Sequence, residues 1–322
     1  MQIFNLTLQQ MLTMFLLIAV GVLLRKSNIF PKNSDVVISR LETFLFIPAL
    51  NLFNQMTQCT VGTLTENAPL ILYGVAFVLS AIALAYLLSN LFVGKTDGDS
   101  RLENLKNVYR YALTFGNYGF VGNLIILGVF GDAFFFKYTL FTFGATIAAT
   151  TWGLFVLVPK DQGVSVWTNL KKGLLTPPLI AFFAGMLIGL LNLSRFVPDF
   201  AVKAISYAAD CQVPAGLVLA GVVIGGFRFG GLLSNKKVYL ATAFRLLLIP
   251  ALMMLVLKLL GADEELTVLA LITYATPIGM NTIIYPAAYG GDSRTGASMV
   301  MISHALCVAT IPLMYYLFVV LL

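Results

Sequence analysis

Long apolar segments recur from one end of the chain to the other, and they restrict the fold more than any other feature. Of the 322 residues, 59% are hydrophobic and only 11% are charged, whereas soluble domains carry roughly 25% charged residues. A helix of about 20 apolar residues crosses a lipid bilayer. The segments are continuously apolar and do not alternate, which argues against a membrane β-barrel. The sequence therefore predicts an all-α polytopic membrane protein.

Ten segments qualify as membrane spans. They lie near residues 7–24, 38–56, 69–93, 107–130, 134–158, 175–192, 202–226, 238–260, 266–289 and 296–321. Sixteen of the 20 Lys and Arg residues border the odd-numbered loops between these spans. Positive charge concentrates on the cytoplasmic side of a membrane, so we expect both termini to be extracytoplasmic in a cell membrane. The net charge of +6 is thus a topology signal, and no nucleic-acid partner is expected.

A weak internal repeat divides the chain into two halves. Residues 115–132 align with residues 275–292 at an offset of 160, and Pro48 of the second span matches Pro214 of the seventh. Each half has five spans, an odd number, so the second half enters the membrane from the opposite side, as in many secondary transporters. The predicted units are a first five-helix repeat at 1–160, a cytoplasmic linker at 161–174 and a second, inverted repeat at 175–322.

The ninth span is interrupted in a way that an ordinary membrane helix is not. Pro277 and Pro286 lie within it, with Gly279 and Asn281 between them. A proline in a helix interior costs roughly 3 kcal/mol and leaves carbonyl groups without partners. We predict that span nine and the glycine-rich span four break near mid-membrane, where helix ends can hold a polar or anionic solute. The alternative is that these small residues only allow close helix packing.

These motifs resemble those of the auxin efflux carrier family, which includes bacterial malate and malonate permease-like members. The residues that carry the likeness are 116–122, 130–132, Pro277, Asn281, 289–292, 297–298, 48–50 and Pro214. The resemblance covers essentially the whole chain. It implies ten spans in two inverted five-helix repeats, broken and crossing helices four and nine, a transport unit that moves against a scaffold, and small organic anions as substrates. One departure is Leu124, where related members usually have a proline.

Polar residues near the predicted breaks are candidates to contact the solute. Asparagine in hydrocarbon requires hydrogen-bond partners, and amide donors with helix N-termini can hold an anion without an arginine. The predicted substrate-binding residues are Asn51, Asn54, Asn117, Gly119, Gly122, Asn123, Thr276, Pro277, Asn281 and Thr282.

Among the ionisable side chains within the predicted spans, four are candidates for a role in transport or in helix contacts. Asp210 of span seven is predicted to couple transport to a proton or another cation, and the alternative is a place near a helix end. Glu42 is predicted to form an interfacial ion pair, with Arg40 close by, and the alternative is a functional charge inside the membrane. Arg245 is expected to extend to the cytoplasmic face, and the alternative is that it balances an acidic residue. His304 is expected to hydrogen-bond a neighbouring helix, and the alternative is a role in proton transfer.

Together these features predict a secondary transporter that moves a small organic anion, a carboxylate, by alternating access. Spans four and nine would move against a scaffold that includes spans two and seven. Two alternatives remain open: a sodium-coupled organic-anion symporter of related inverted-repeat fold, and a non-transporting membrane sensor. An enzyme is not expected, because the sequence has no nucleophile–base pair and no paired carboxylate motif.

The cysteines point to no cofactor. Cys59, Cys211 and Cys307 have no paired spacing, so neither a disulfide framework nor a metal site is predicted. The expected partners are the organic anion and the lipid bilayer, and a homodimer is compatible with the sequence.

Overall fold

The chain is helical throughout the part that the structure describes. The computed structural model describes residues 2–158, 175–227, 230, 233–289 and 291–321. The predicted linker at 161–174 lies outside these residues. Within them, the one extended pairing is an isolated antiparallel β-bridge between Gly116 and Ile278. The predicted all-α class is confirmed for the described residues.

Short helices alternate with long ones along the described residues. In the first half they are α1 (Gln2–Lys26), α2 (Ser34–Leu41), α3 (Ile47–Gln58), α4 (Val61–Asn67), α5 (Pro69–Phe92), α6 (Ser100–Thr114), α7 (Asn123–Ile125), α8 (Gly131–Thr150) and α9 (Trp152–Leu157). In the second half they are α10 (Pro177–Leu190), α11 (Asp199–Asp210), α12 (Gln212–Gly225), α13 (Lys236–Ala243), α14 (Ile249–Leu259), α15 (Glu264–Ala275), α16 (Asn281–Tyr289) and α17 (Ser293–Tyr315). π-Helical segments are Glu42–Phe46, Tyr118–Gly122, Ile126–Phe130, Phe244–Leu248 and Tyr316–Leu321, and Ser194–Phe196 is a 3₁₀ turn.

Seven helical runs of the described residues are long and apolar enough to cross a membrane. They are Asn5–Lys26, Ser34–Gln58, Pro69–Phe92, Tyr118–Leu157, Asp199–Gly225, Lys236–Leu259 and Ser293–Leu321. The sixth predicted span corresponds to α10, a shorter apolar helix. The ninth is divided into α15 and α16, and the first part of the fourth is the separate helix α6. The polytopic helical class is therefore supported, whereas the count of ten spans and their inverted symmetry stay predictions.

Two π-helical segments come directly before prolines in spans two and eight. Glu42–Phe46 leads into Pro48 at the start of α3, and Phe244–Leu248 leads into Pro250 at the start of α14. A proline has no N–H to donate to the carbonyl four residues earlier, and its ring crowds that carbonyl. A π-helical turn accommodates this by widening the helix locally, and such turns are frequent at functional sites.

The helices fall into two groups by their contacts. In one group, α3 packs on α10 and α11, and α1 packs on α12. In the other, α5 packs on α6 and α8, and α15 packs on α14 and α17. Glycines allow the closest approach, since a Cβ on Gly21 of α1 would overlap the carbonyl of Val218 on α12. Likewise, a Cβ on Gly221 of α12 would overlap the carbonyl of Ile18 on α1.

Candidate functional site

Two helix breaks meet inside the protein. Helix α6 ends at Thr114 and helical structure resumes at Tyr118, while α15 ends at Ala275 and α16 begins at Asn281. The extended residues between them run antiparallel through the bridge of Gly116 and Ile278. This arrangement, called the crossover here, places the ends of four helical segments close to one point.

Backbone hydrogen bonds hold the crossover together. The backbone N–H of Asn117 donates to the carbonyl of Pro277 at 2.6 Å, and that of Gly279 donates to the carbonyl of Phe115 at 3.3 Å. The N–H of Ile278 donates to the Ser303 hydroxyl at 3.0 Å. These three N–H groups, which the breaks remove from helical bonding, are therefore satisfied, as a low-dielectric environment requires.

Local sequence explains both breaks. Pro277 disfavours helical backbone at Thr276, which is extended with φ −66° and ψ 150°. At Gly116 a Cβ would overlap the side chains of Arg245 and Thr276, so any larger residue here would have to displace them. Pro286, the other proline of span nine, lies inside α16 and does not end it. The break in span four needs no proline and is confined to residues 115–117.

A cavity of about 410 Å³ lies beside the crossover. Five of the ten predicted substrate-binding residues line it: Asn51, Asn117, Gly119, Asn123 and Asn281. Its wall also includes both residues at which helical structure resumes after the breaks, Tyr118 and Asn281. The cavity is thus bounded by spans two, four and nine, with further residues from α8, α10 and α12.

The asparagines of the wall are fixed by long-range hydrogen bonds. Asn281 Nδ2 donates to the Tyr111 hydroxyl at 3.0 Å, and Asn51 Nδ2 donates to the Pro178 carbonyl at 3.0 Å. Asn123 Nδ2 donates to Gln212 Oε1 at 3.2 Å. These bonds give the polar groups defined orientations in the wall, which preorganises a binding site.

His304 lies behind the cavity wall and contacts Asn117. Its Nε2 lies 3.0 Å from Asn117 Nδ2 and its Nδ1 lies 2.8 Å from the Val300 carbonyl. Since a carbonyl can only accept, Nδ1 carries the proton and Nε2 accepts from the Asn117 amide. The predicted hydrogen bond between the lone histidine and a neighbouring helix is confirmed.

The other five predicted residues lie outside the cavity wall. The Thr276 and Thr282 hydroxyls donate to the carbonyls of Thr273 and Gly279, so both serve the helix ends at the break. Pro277 accepts a backbone bond within the crossover, and a Cβ on Gly122 would overlap the Tyr138 hydroxyl. Asn54 Nδ2 donates to the Asp132 carbonyl at 3.1 Å.

One polar face of the cavity was not predicted. Thr139, Thr142, Thr146 and Thr150 of α8 all line it. Their spacing of three, four and four residues puts them on one side of the helix. Each hydroxyl has a partner, and the Tyr118 hydroxyl donates to Thr146 Oγ1 at 3.3 Å. This threonine stripe in an otherwise apolar span is the sequence signal that would have revealed it.

Comparison with known proteins decides the family. The profile described as membrane transport protein matches residues 6–315. The chain belongs to this family of transporters. An uncharacterized transporter of Methanocaldococcus jannaschii is 23% identical over 193 residues, which make up 58% of this chain and 60% of that relative. The predicted resemblance to auxin efflux carriers is confirmed by the family match, which is to a family of transporters and not of enzymes.

Asp210 lies away from the cavity. It ends α11, its side chain is exposed, and it is absent from the cavity wall. The alternative weighed for it, a place at a helix end, matches this position. Its coupling role stays a prediction, and the burial that would favour such a role is not found.

The placement predicted for Glu42 is wrong. Glu42 is 1% exposed, neither of its carboxylate oxygens has a hydrogen-bond partner, and it forms no ion pair. Arg40, the expected neighbouring cation, is exposed. Glu42 instead lies in the cavity wall, at the start of the π-helical turn before Pro48.

The placement predicted for Arg245 is also wrong. Its side chain is fully buried and does not reach the cytoplasmic face. One guanidinium nitrogen contacts the Thr273 carbonyl at 3.5 Å, while Nε and Nη1 have no hydrogen-bond partner. The guanidinium also lies 5.7 Å from the centre of the Tyr274 ring. Arg245 is directly behind Gly116, so a positive charge without an acidic partner adjoins the crossover.

Proposed function

We propose that this chain is a secondary transporter that moves a small organic anion, a carboxylate, across the cell membrane by alternating access. The observation that carries the proposal is the crossover of two broken helices beside a polar cavity. Discontinuous helices that meet near mid-membrane form the substrate sites of many secondary transporters.

The charge distribution around the cavity favours an anion. Helical structure begins at Tyr118 and at Asn281, both in the wall, and the start of a helix carries a partial positive charge. Arg245 adds a full positive charge behind Gly116. The two oxygens of a carboxylate can each accept more than one hydrogen bond, so a carboxylate suits the amide donors of this wall.

The two helix groups supply the moving parts of the proposal. The cavity is lined by residues of spans two, six and seven and by residues of spans four, five and nine. Spans four and nine would move against the scaffold that includes spans two and seven, exposing the crossover alternately to each side. This motion fits two inverted five-helix repeats at 1–160 and 175–322 with both termini outside.

Counterflow in proteoliposomes tests the proposal. Vesicles are loaded in turn with unlabelled malate, malonate or an aromatic carboxylate, and the same labelled anion is added outside. We expect exchange with at least one carboxylate. Repeating the assay with and without a sodium gradient separates this carrier from a sodium-coupled symporter. Folded protein that exchanges no anion would contradict the proposal and favour the sensor.

Asn281→Ala tests the place of the site. Removal of an amide that bonds a charged ligand costs about 1.5–3 kcal/mol, so the half-saturating concentration of the anion should rise at least roughly tenfold. Asn90→Ala is the matched control, since Asn90 is exposed on α5 and bonds only its own helix. Equal affinity in the Asn281 variant and in wild type would show that the anion does not bind at the crossover.

A further inference from the structure

We propose that Glu42 is a proton-binding site and that its proton crosses the membrane together with the anion. The inference rests on the proposed transport function and assigns its coupling ion. It starts from geometry: the one carboxylate in the wall of the cavity belongs to Glu42, among the residues that the structure describes.

The surroundings of Glu42 provide no compensating charge. The elements packed against its π-helical turn are α2, α3, α10, α11 and α12. Ionisable residues on these elements are Asp35 and Arg40 on α2 and Asp199, Lys203, Tyr207 and Asp210 on α11. None of them forms an ion pair or a hydrogen bond with Glu42, whose two carboxylate oxygens have no partner.

A partnerless carboxylate is costly in a buried site. Both oxygens of Glu42 are buried without a donor, and a buried charge is found only where it is paired or bound to a cation. A bound proton removes this cost. The step is a simple protonation: the carboxylate takes up one proton from water on the entry side, an O–H bond forms, and it breaks on release to water on the other side.

Proton and anion should bind cooperatively at this cavity. An ionised Glu42 in the same wall as Asn51 and Asn281 would repel a bound carboxylate. A protonated Glu42 does not repel it, so each ligand raises the affinity for the other, as linkage requires. Positive coupling of this kind gives symport. The proton also cancels one negative charge of the transported anion. Moving one such charge across the membrane involves electrical work of about 2.3 kcal/mol per 100 mV of membrane potential.

Gradient-driven accumulation in proteoliposomes tests the assignment. Labelled malonate, or the carboxylate that exchanges fastest, is added outside while potassium and valinomycin hold the membrane potential at zero. With one proton per anion, an inward gradient of one pH unit should concentrate the anion about tenfold in wild type. Glu42→Gln should reduce the ratio to about one and retain counterflow at equal pH. Glu66→Gln, a change at an exposed carboxylate of α4, should accumulate like wild type.

Several results would overturn the proposal. These are unchanged accumulation in Glu42→Gln, loss of accumulation only in Asp210→Asn, or accumulation driven by sodium and not by protons. Absence of counterflow in wild type would count against the transport function instead. Infrared difference spectra of Glu42→Gln against wild type in detergent report whether the Glu42 carboxyl group is protonated, independently of transport. A protonated-carboxyl band missing from the variant supports the assignment, and its absence from wild type at neutral pH contradicts it.

Discussion

Gly116→Ala is expected to slow anion exchange strongly and to lower the thermal stability of the protein. A Cβ at this position would overlap the side chains of Arg245 and Thr276 and would lie 3.0 Å from the Thr276 carbonyl. The two segments of the crossover would then have to separate, which strains the hydrogen bond from Asn117 N–H to the Pro277 carbonyl. Overpacking of this kind costs about 1–3 kcal/mol. Because the same bonds orient the binding residues, we expect the exchange rate to fall more than roughly tenfold.

Gly119→Ala is the matched control for this prediction. Gly119 belongs to the same motif and lines the same cavity, yet a Cβ there would have no neighbour within 4 Å. Its melting temperature in detergent should equal that of wild type, whereas that of Gly116→Ala should be lower. Wild-type exchange in Gly116→Ala would show that the crossover tolerates a wider spacing and does not shape the site.

Arg245→Met should weaken anion binding strongly without destabilising the protein. At an effective dielectric constant of about 20, unit charges about 8 Å apart interact by roughly 2 kcal/mol, which is about thirtyfold in affinity. Two guanidinium nitrogens of Arg245 are buried without partners, so an apolar replacement of similar length relieves a desolvation cost. The melting temperature should therefore stay the same or rise while the half-saturating anion concentration increases.

Two further variants make this prediction specific. Arg245→Lys retains the charge and should retain most of the affinity. Lys258→Met removes a positive charge from the end of α14 in the same span and should leave affinity unchanged, because that end is remote in sequence from the crossover and open to solvent screening. If Arg245→Met bound the anion as wild type does, the buried charge would have no part in selecting the substrate.

Much of the site could be predicted because helix breaks are local in sequence. Pro277 cannot donate a backbone hydrogen bond and forces Thr276 into extended geometry, whatever surrounds them. The glycine motif at 116–122 likewise marked the break in span four. Polar residues next to such breaks were natural candidates, and Asn51, Asn117, Asn123 and Asn281 do line the cavity.

The errors concern residues whose environment is not local. Glu42 and Arg40 are two positions apart, which suggested a shared interfacial environment, but one is buried and the other is exposed. Arg245 lies near the start of its span and yet contacts residues around Gly116 and Thr273. In both cases the charged residue lies in a π-helical turn before a proline, where the helix departs from the regular period on which sequence patterns rely.

The sequence by itself determined the helical membrane class, the transporter family and the positions of the two breaks, because these follow from hydrophobicity, motif and backbone chemistry. Tertiary structure alone decided that the breaks pair through Gly116 and Ile278, that a cavity lies beside them, and that Glu42 and Arg245 are buried. The physical reason is that a membrane helix is apolar on every side. Its hydrophobic pattern therefore does not distinguish the face toward lipid from the face toward protein.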